Sequence, residues 1–236
     1  MQNTPIVDIL EPIVADLGLS YTSSTHTYNA QTNLTFIELC CTGYLRPCSN
    51  VEINGVPYSI EGVTPNVGIT IKGDLNLIGE VTITSTPPFY FHGTIINTSK
   101  DVVRIRDGHD KYPMVYLYEP ISERYFNSES PIEYEAEVRL FFLDLNDFKN
   151  WKTDEHYLYS INPMRYLALE FINRLNKERC TVNQMENYKL TSYANIGTEI
   201  LETGVIKSIF ANNLSGVELI LTIQVLKSSS CKKCNC

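Results

Sequence analysis

Residues 133 to 143 read EYEAEVRLFFL, and the alternation in that run constrains the fold more than any other stretch of the chain. Tyr134, Ala136, Val138, Leu140 and Phe142 fall on one side of an extended backbone. Glu133, Glu135, Glu137 and Arg139 fall on the other, until Phe141 breaks the rule. Successive strand side chains point to opposite faces, so this pattern requires a strand with one face in a core and one in water.

Two helical patterns accompany it. From Pro5 to Leu19 the apolar residues Ile6, Ile9, Leu10, Ile13, Val14 and Leu17 form one stripe, ended by Gly18. Thr4 and Pro5 suit a cap and first turn, and Pro12 kinks or restarts the helix. A second stripe, Met164, Leu167, Ala168, Phe171, Ile172 and Leu175, follows Pro163, with Ser160 or Asn162 as the expected cap. Between the first helix and residue 87 lie short β-rich segments: Leu34 to Cys41, Val51 to Ile53, Val56 to Ile60, Gly68 to Ile71 and Glu80 to Thr84. Asn54-Gly55 is a hairpin turn signal, since both residues tolerate positive φ. After Pro87-Pro88 the strands lengthen, with Phe89 to Asn97 and Met114 to Glu119. Thr203 to Phe210 and Val217 to Val225 read as two further strands around a hairpin loop at Asn212 to Gly216.

The chain has 236 residues, 43% hydrophobic and 19% charged, enough for a substantial core or a core with a small subdomain. A net charge of -8 supplies no general basic face for nucleic-acid backbones. The start of the chain shows no basic segment leading an apolar one, and no run is long and apolar enough to span a bilayer; cytosolic synthesis without membrane contact is expected. Fifteen tyrosines against one tryptophan favour contact surfaces, because Tyr packs its ring while keeping its hydroxyl wet.

Candidate chemistry is thin. Arg104-Ile105-Arg106-Asp107-Gly108-His109-Asp110-Lys111 is the densest polar cluster, and Asp107, His109 and Asp110 are of types that bind cations or move protons. Asp-Gly is also ordinary turn chemistry, and a charged, partner-contacting loop accounts for the run. His156 follows Asp154 and Glu155, but adjacent positions do not converge on a metal, so a packed aromatic connector with Trp151 and Tyr157 is expected there. The motifs of P-loop enzymes, zinc proteases and serine hydrolases are missing. Seven cysteines, Cys40, Cys41, Cys48, Cys180, Cys231, Cys234 and Cys236, are expected to remain thiols, with Cys40 and Cys41 buried. The C-x-x-C-x-C ending offers three thiolates to a soft metal, with Cys180 as a fourth, yet lacks a second ligand pair; a flexible tail is the expected state. No cofactor or metal is called for, and no catalytic activity is expected.

Lys111 to Pro120 (KYPMVYLYEP), Glu133 to Leu143, Trp151 to His156 (WKTDEH) and Asn162 to Leu175 (NPMRYLALEFINRL) together resemble virion structural proteins of tailed phages of Bacteroidota, notably crAss-like phages. The element order resembles tail-terminator and tail-completion proteins. That resemblance implies an α+β fold, a mainly antiparallel sheet with two helices packed on one face. It implies a subunit of a neck or tail ring, dodecameric or hexameric, which joins portal to tail around a DNA channel without sequence-specific binding. Its place would be the virion, assembled in the host cytoplasm. Residues 1–29 and 87–227 would form the ring core, 30–86 a β-rich insertion and 228–236 a flexible tail. Expected contact residues are Arg104, Arg106, Asp107, His109, Asp110 and Tyr112 in one loop, Arg124, Tyr125 and Phe126 in another, and Asn54 and Tyr58 in the insertion. The alternatives are a receptor- or carbohydrate-binding tail module and, behind it, a metal-dependent hydrolase built on Asp107, His109, Asp110 and His156.

Overall fold

A computed structural model describes residues 5–94, 111–147, 150–182, 187–196, 198–200, 206–208 and 213–227. The chain divides into two units, one of Gly18–Pro87 and one of Met1–Leu17 with Pro88–Cys236. Most of the described structure is antiparallel sheet, with two helices in the second of these units, which places the protein in the α+β class.

The Gly18–Pro87 unit holds seven strands: β1 Ser20–Ser23, β2 His26–Asn29, β3 Leu34–Glu38, β4 Asn50–Ile53, β5 Val56–Thr64, β6 Gly68–Lys72 and β7 Val81–Ser85. Their order across the sheet is β1-β7-β4-β5-β6-β3-β2. The two end strands of that order are neighbours in the chain, separated only by Ser24 and Thr25, so the sheet curls until its ends meet in one bent run. At the bend the Ser23 hydroxyl donates to Thr25 O at 3.1 Å, and Glu38 N donates to the same carbonyl at 3.0 Å. A rolled sheet hides the edges that an open one would expose. Alternate residues Ile37, Val51, Ile53, Ile60, Ile69, Ile71, Val81 and Ile83 fill the interior. Gly68 is required where β6 meets β3, because a Cβ there would lie 2.3 Å from Ile37 O. The sequence reading placed residues 18–29 with the ring core; β1 and β2 instead pair with β7 and β3, because their own alternation is too short and polar to announce a partner.

Asn54 and Gly55 make the expected tight turn between β4 and β5, with φ of 52° and 78°. Cys40 is exposed and Cys41 half-buried, against the expectation of buried thiols. β3 ends at Glu38, and the two-residue alternation of Ile37 and Leu39 inward puts Cys40 outward.

In the other unit α1, Ile6–Ala15, runs unbroken past Pro12 and buries Ile6, Ile9, Leu10, Ile13 and Val14. The sheet comprises β8 Phe89–Gly93, β9 Met114–Tyr118, β10 Ser122–Tyr125, β11 Ile132–Leu145, β12 Tyr188–Ile196 and β15 Leu214–Leu226, ordered β12-β15-β11-β9-β8 with β10 also on β11. Between β12 and β15, the short strands β13 Thr198–Ile200 and β14 Ile206–Ser208 pair with each other. Among the described residues β14 pairs with β13, while β15 pairs with β11 and β12 and not, as expected, with β14; Leu214–Gly216 lie within β15 instead of in a loop. β9 and β10 run along the same side of β11, interrupted at Glu119–Ile121; on either side of the break Leu117 faces Leu140 and Ser122 faces Glu137.

The second helix starts earlier than the stripe announced. α2, Thr153–His156, continues through a π turn at Tyr157–Ile161 into α3, Asn162–Leu175. The Glu155 carboxylate accepts from Lys152 N at 2.6 Å and closes the N-terminus. Ser160 and Asn162 are thus interior, not caps. α3 packs on β11 and β15, with the Phe171 and Phe142 rings 5.7 Å apart, edge to face. α1 rests on β8 and α3, where the Tyr90 hydroxyl donates to Val7 O at 3.4 Å and Arg174 pairs with Asp16.

β11 keeps the predicted alternation only to Arg139. From Leu140 to Asp144 it is buried on both faces. On the face away from Phe171, Tyr112, Met114, Tyr116, Phe141, Leu143 and Leu214 form a second apolar cluster.

Candidate functional site

Two buried polar groups, one on each face of the larger sheet, and a set of open strand edges are the features able to carry function in the described residues. On the helix-bearing face, the π turn presses Ser160 against β15, and the Ser215 hydroxyl donates to Ser160 Oγ at 2.6 Å. Both serines and the neighbouring Asp144, register partner of Ser215, are fully buried. The Asp144 Oδ1 accepts from Leu145 N at 2.7 Å. His156, one helical turn before Ser160, is 7% exposed and stacked edge-on against Trp151 at 5.5 Å; its Nδ1 has no hydrogen-bond partner among the described residues. Serine, histidine and aspartate share this region, but a hydroxyl at zero exposure is not offered to a substrate; what it does offer is a specific seat for the helix on the sheet.

On the opposite face Glu218 of β15 is 2% exposed and accepts from Arg139 Nε and from the Tyr193 hydroxyl at 2.8 Å. The Arg139 guanidinium lies over the rings of Tyr118 and Phe141, 5.7 and 5.4 Å from their centroids. The bond to Glu218, then burial, holds the Tyr193 phenol above its ordinary pKa. This ion pair marks the border between the apolar cluster and the row Glu133, Glu135 and Glu137 that runs on toward Ile132. Its carboxylate is satisfied from two sides, as a buried charge must be if it is not to destabilise the sheet.

The open edges belong to β8 and β12, the end strands of the sheet order, and to β10, which pairs only with β11 among the described residues. All four β10 residues are exposed. Tyr125 is 56% exposed, with its hydroxyl on Glu123 at 2.7 Å, while Arg124 sits over the Phe126 ring. The loop that follows is held by Lys227, whose Nζ donates to Asn127 O at 3.0 Å and to Ser128 O at 2.8 Å.

The structure therefore distributes the expected contact residues. Arg124 and Tyr125 are on an exposed edge, with Phe126 half-buried beside them. Asn54 is exposed but engaged at the base of its hairpin, accepting from Thr82 N at 2.9 Å, and Tyr58 is half-buried. Tyr112 is a core residue at 6% exposure, packed with Met114 and Tyr116, so it presents no contact surface; the chain enters β9 immediately after it and draws it inward. Arg104, Arg106, Asp107, His109 and Asp110 lie outside the described residues. Sequence reasoning offered Ser160 only as a helix cap and missed Ser215, Asp144, Glu218 and Tyr193, none of which belongs to a local motif; for Asp144, Ser215 and Glu218 the signal was a polar residue within a run of buried apolar ones. Among the described residues no group of three or more His, Cys, Asp or Glu side chains is placed to hold a metal ion, and no helix is long and apolar enough to cross a membrane. Cys180 is disulfide-bonded, against the expectation of seven thiols. The chain matches no protein-family model, no curated protein and no solved structure.

Proposed function

We propose that the protein is a non-catalytic structural subunit of an oligomeric ring in the neck or tail of a tailed bacteriophage, joining portal to tail around the DNA channel. The observation that carries this reading is the asymmetry of the larger sheet: β12 ends it on one side, and β8 with β10 on the other. A closed ring needs two different surfaces per subunit that meet head to tail, and opposite edges of one sheet are two such surfaces. The resemblance of the 111–120, 133–143, 151–156 and 162–175 segments to virion proteins of phages of Bacteroidota supports the same reading, and the α+β class, mostly antiparallel sheet with two helices, is compatible with it. The net charge of -8 suits a conduit through which DNA passes without being held. In the virion the portal and other neck proteins would be its partners, with assembly in the host cytoplasm.

Light scattering and electron microscopy of the purified protein, alone and co-expressed with a portal protein, test this. A discrete hexamer or dodecamer, or a ring formed on the portal, is the expected result. A chain that stays monomeric in both settings refutes the reading, and a trimer that binds glycans replaces it with a receptor-binding module.

A further inference from the structure

How one copy meets the next is written in the backbone of the larger sheet, whose order ends among the described residues at β12 and β8. A strand turns the N–H and C=O of successive residues to opposite sides, so one bonded residue fixes which others point outward. On β8, Phe89 N donates to Pro113 O at 3.0 Å and Gly93 O accepts from Glu119 N at 3.0 Å. Phe89, Phe91 and Gly93 therefore bond to β9, and the main-chain groups of Tyr90 and His92 point away from the sheet. On β15, Gln224 O accepts from Val182 N at 2.9 Å on the side where β12 lies. Gly216, Glu218 and Ile220 turn to that same side and bond their register partners Tyr193, Thr191 and Lys189. The main-chain groups of Leu190 and Ser192 then point outward. Among the described residues nothing pairs with these outward groups of Tyr90, His92, Leu190 and Ser192.

The two edges match in sense, face and charge. β8 is parallel to β9, and each further step through β11 and β15 to β12 is antiparallel, so β8 and β12 run in opposite directions. Copies related by rotation about an axis along the strands thus meet as an antiparallel pair. In register across the sheet, Tyr90, Val115, Phe142, Val217 and Ser192 form one row, and His92, Leu117, Leu140, Leu219 and Leu190 form another. Phe142 packs on Phe171, so both rows belong to the helix-bearing face. The outward groups of both edges therefore belong to residues of one face, and pairing them continues both faces of the sheet across the junction. β12 carries Lys189 and no carboxylate. Asp8, Glu11 and Glu119 stand close to the Tyr90 phenol, whose pKa is raised first by burial and then by these three charges.

We propose that β12 of one copy adds to β8 of a second copy of this chain, with Ser192 opposite Tyr90 and Leu190 opposite His92. About four main-chain hydrogen bonds join the pair, and the sheet runs on from subunit to subunit. This inference rests on the ring reading and names the two surfaces that close it. Main-chain bonds supply the attraction, while the shared face and the opposite charges select β8 over a second β12, which would bring two basic edges together.

Proline at an edge position whose N–H points outward removes a donor and blocks an added strand while the chain still folds. Light scattering and electron microscopy therefore compare the wild type with Ser192→Pro and His92→Pro, each full length, alone and with the portal protein. Both variants should keep the wild-type urea midpoint, read from Trp151 fluorescence, and each by itself should lose the ring. Where proline lowers that midpoint, Ser192→Glu, which sets a carboxylate toward Asp8 and Glu11 of the next copy, takes its place. Wherever the wild type assembles by itself, an equimolar mixture of the two proline variants should give a 1:1 dimer and nothing larger, because each retains the edge that the other lacks. A ring formed by either folded variant alone, or a mixture that stays monomeric under those conditions, overturns the edge pairing and leaves the ring reading intact. So does a dimer of His92→Pro alone, which would mean that β12 pairs with β12. A wild type that stays monomeric with and without the portal refutes the ring reading, and this inference with it.

Discussion

Gly216 is the residue on which the register of the larger sheet can be tested most directly. It lies inside β15, opposite Leu143 of β11 and Tyr193 of β12, with φ of 155°. A Cβ at this position would lie 2.0 Å from Phe142 O, 3.0 Å from Phe142 C and 3.1 Å from Leu143 Cα. All three obstacles are backbone, so no rotamer change relieves them. Restoring ordinary contact separates the strands by about 1 Å, which takes the neighbouring ladder bonds from about 2.9 Å to about 3.9 Å, beyond hydrogen-bond range. Two buried bonds weakened in that way, at about 1–2 kcal/mol each, put the loss for Gly216→Ala at about 3 kcal/mol. That is a large part of the 5–15 kcal/mol that typically holds a domain together. Urea unfolding followed by the fluorescence of Trp151, the only tryptophan, reads this unit, and the midpoint should fall by about 1 M. Thr222→Ala, on an exposed site of the same strand, is the control and should change stability by less than about 0.5 kcal/mol. If Gly216→Ala is as mild as the control, β11 and β15 do not approach each other as described.

Ser160→Ala and Ser215→Ala should each lower stability by about 1–3 kcal/mol, because each takes from the other hydroxyl its partner at a fully buried position, and the double variant should lose less than the sum, a coupling read from a double-mutant cycle. Arg139→Ala should cost about 2 kcal/mol by leaving the Glu218 carboxylate with Tyr193 alone, moderated because Arg139 is 47% exposed; adding Glu218→Gln should recover part of that loss in the same unfolding assay. Tyr44, whose hydroxyl meets Ser85 Oγ at 2.9 Å and donates to Thr86 O at 3.0 Å, has its pKa pushed up from 10.0 to about 12, first by burial. A raised folded-state pKa means the folded form holds the proton longer. The contribution, about 2–3 kcal/mol, should be complete below pH 10 and vanish as pH rises toward 12, and ultraviolet tyrosinate titration alongside unfolding should show this slope disappear in Tyr44→Phe.

Much of the fold is legible from short-range pattern. The run 133–143, the stripe from Ile6 to Val14, the stripe from Met164 to Leu175 and the Asn54-Gly55 turn each announce a local conformation through spacing that covalent geometry imposes, and each forms. The helix start at Thr153 was hidden, because Trp151–Tyr159 has no clean stripe and the π turn shifts its phase. β1, β2, β10 and β12 were missed, since short polar strands are selected by their partners and not by their own residues.

What the sequence determined by itself is therefore which segments extend, which coil into helices and which face of each is apolar, all consequences of periods of two and 3.6 along a single stretch of backbone. What only the tertiary structure decided is who meets whom: that Ser24 and Thr25 bend one run into both ends of a rolled sheet, that Ser160 finds Ser215, that Glu218 is satisfied by Arg139 and Tyr193, and that Tyr112 turns inward. These depend on contacts between residues tens of positions apart, whose energies appear only once the chain has closed the loops between them.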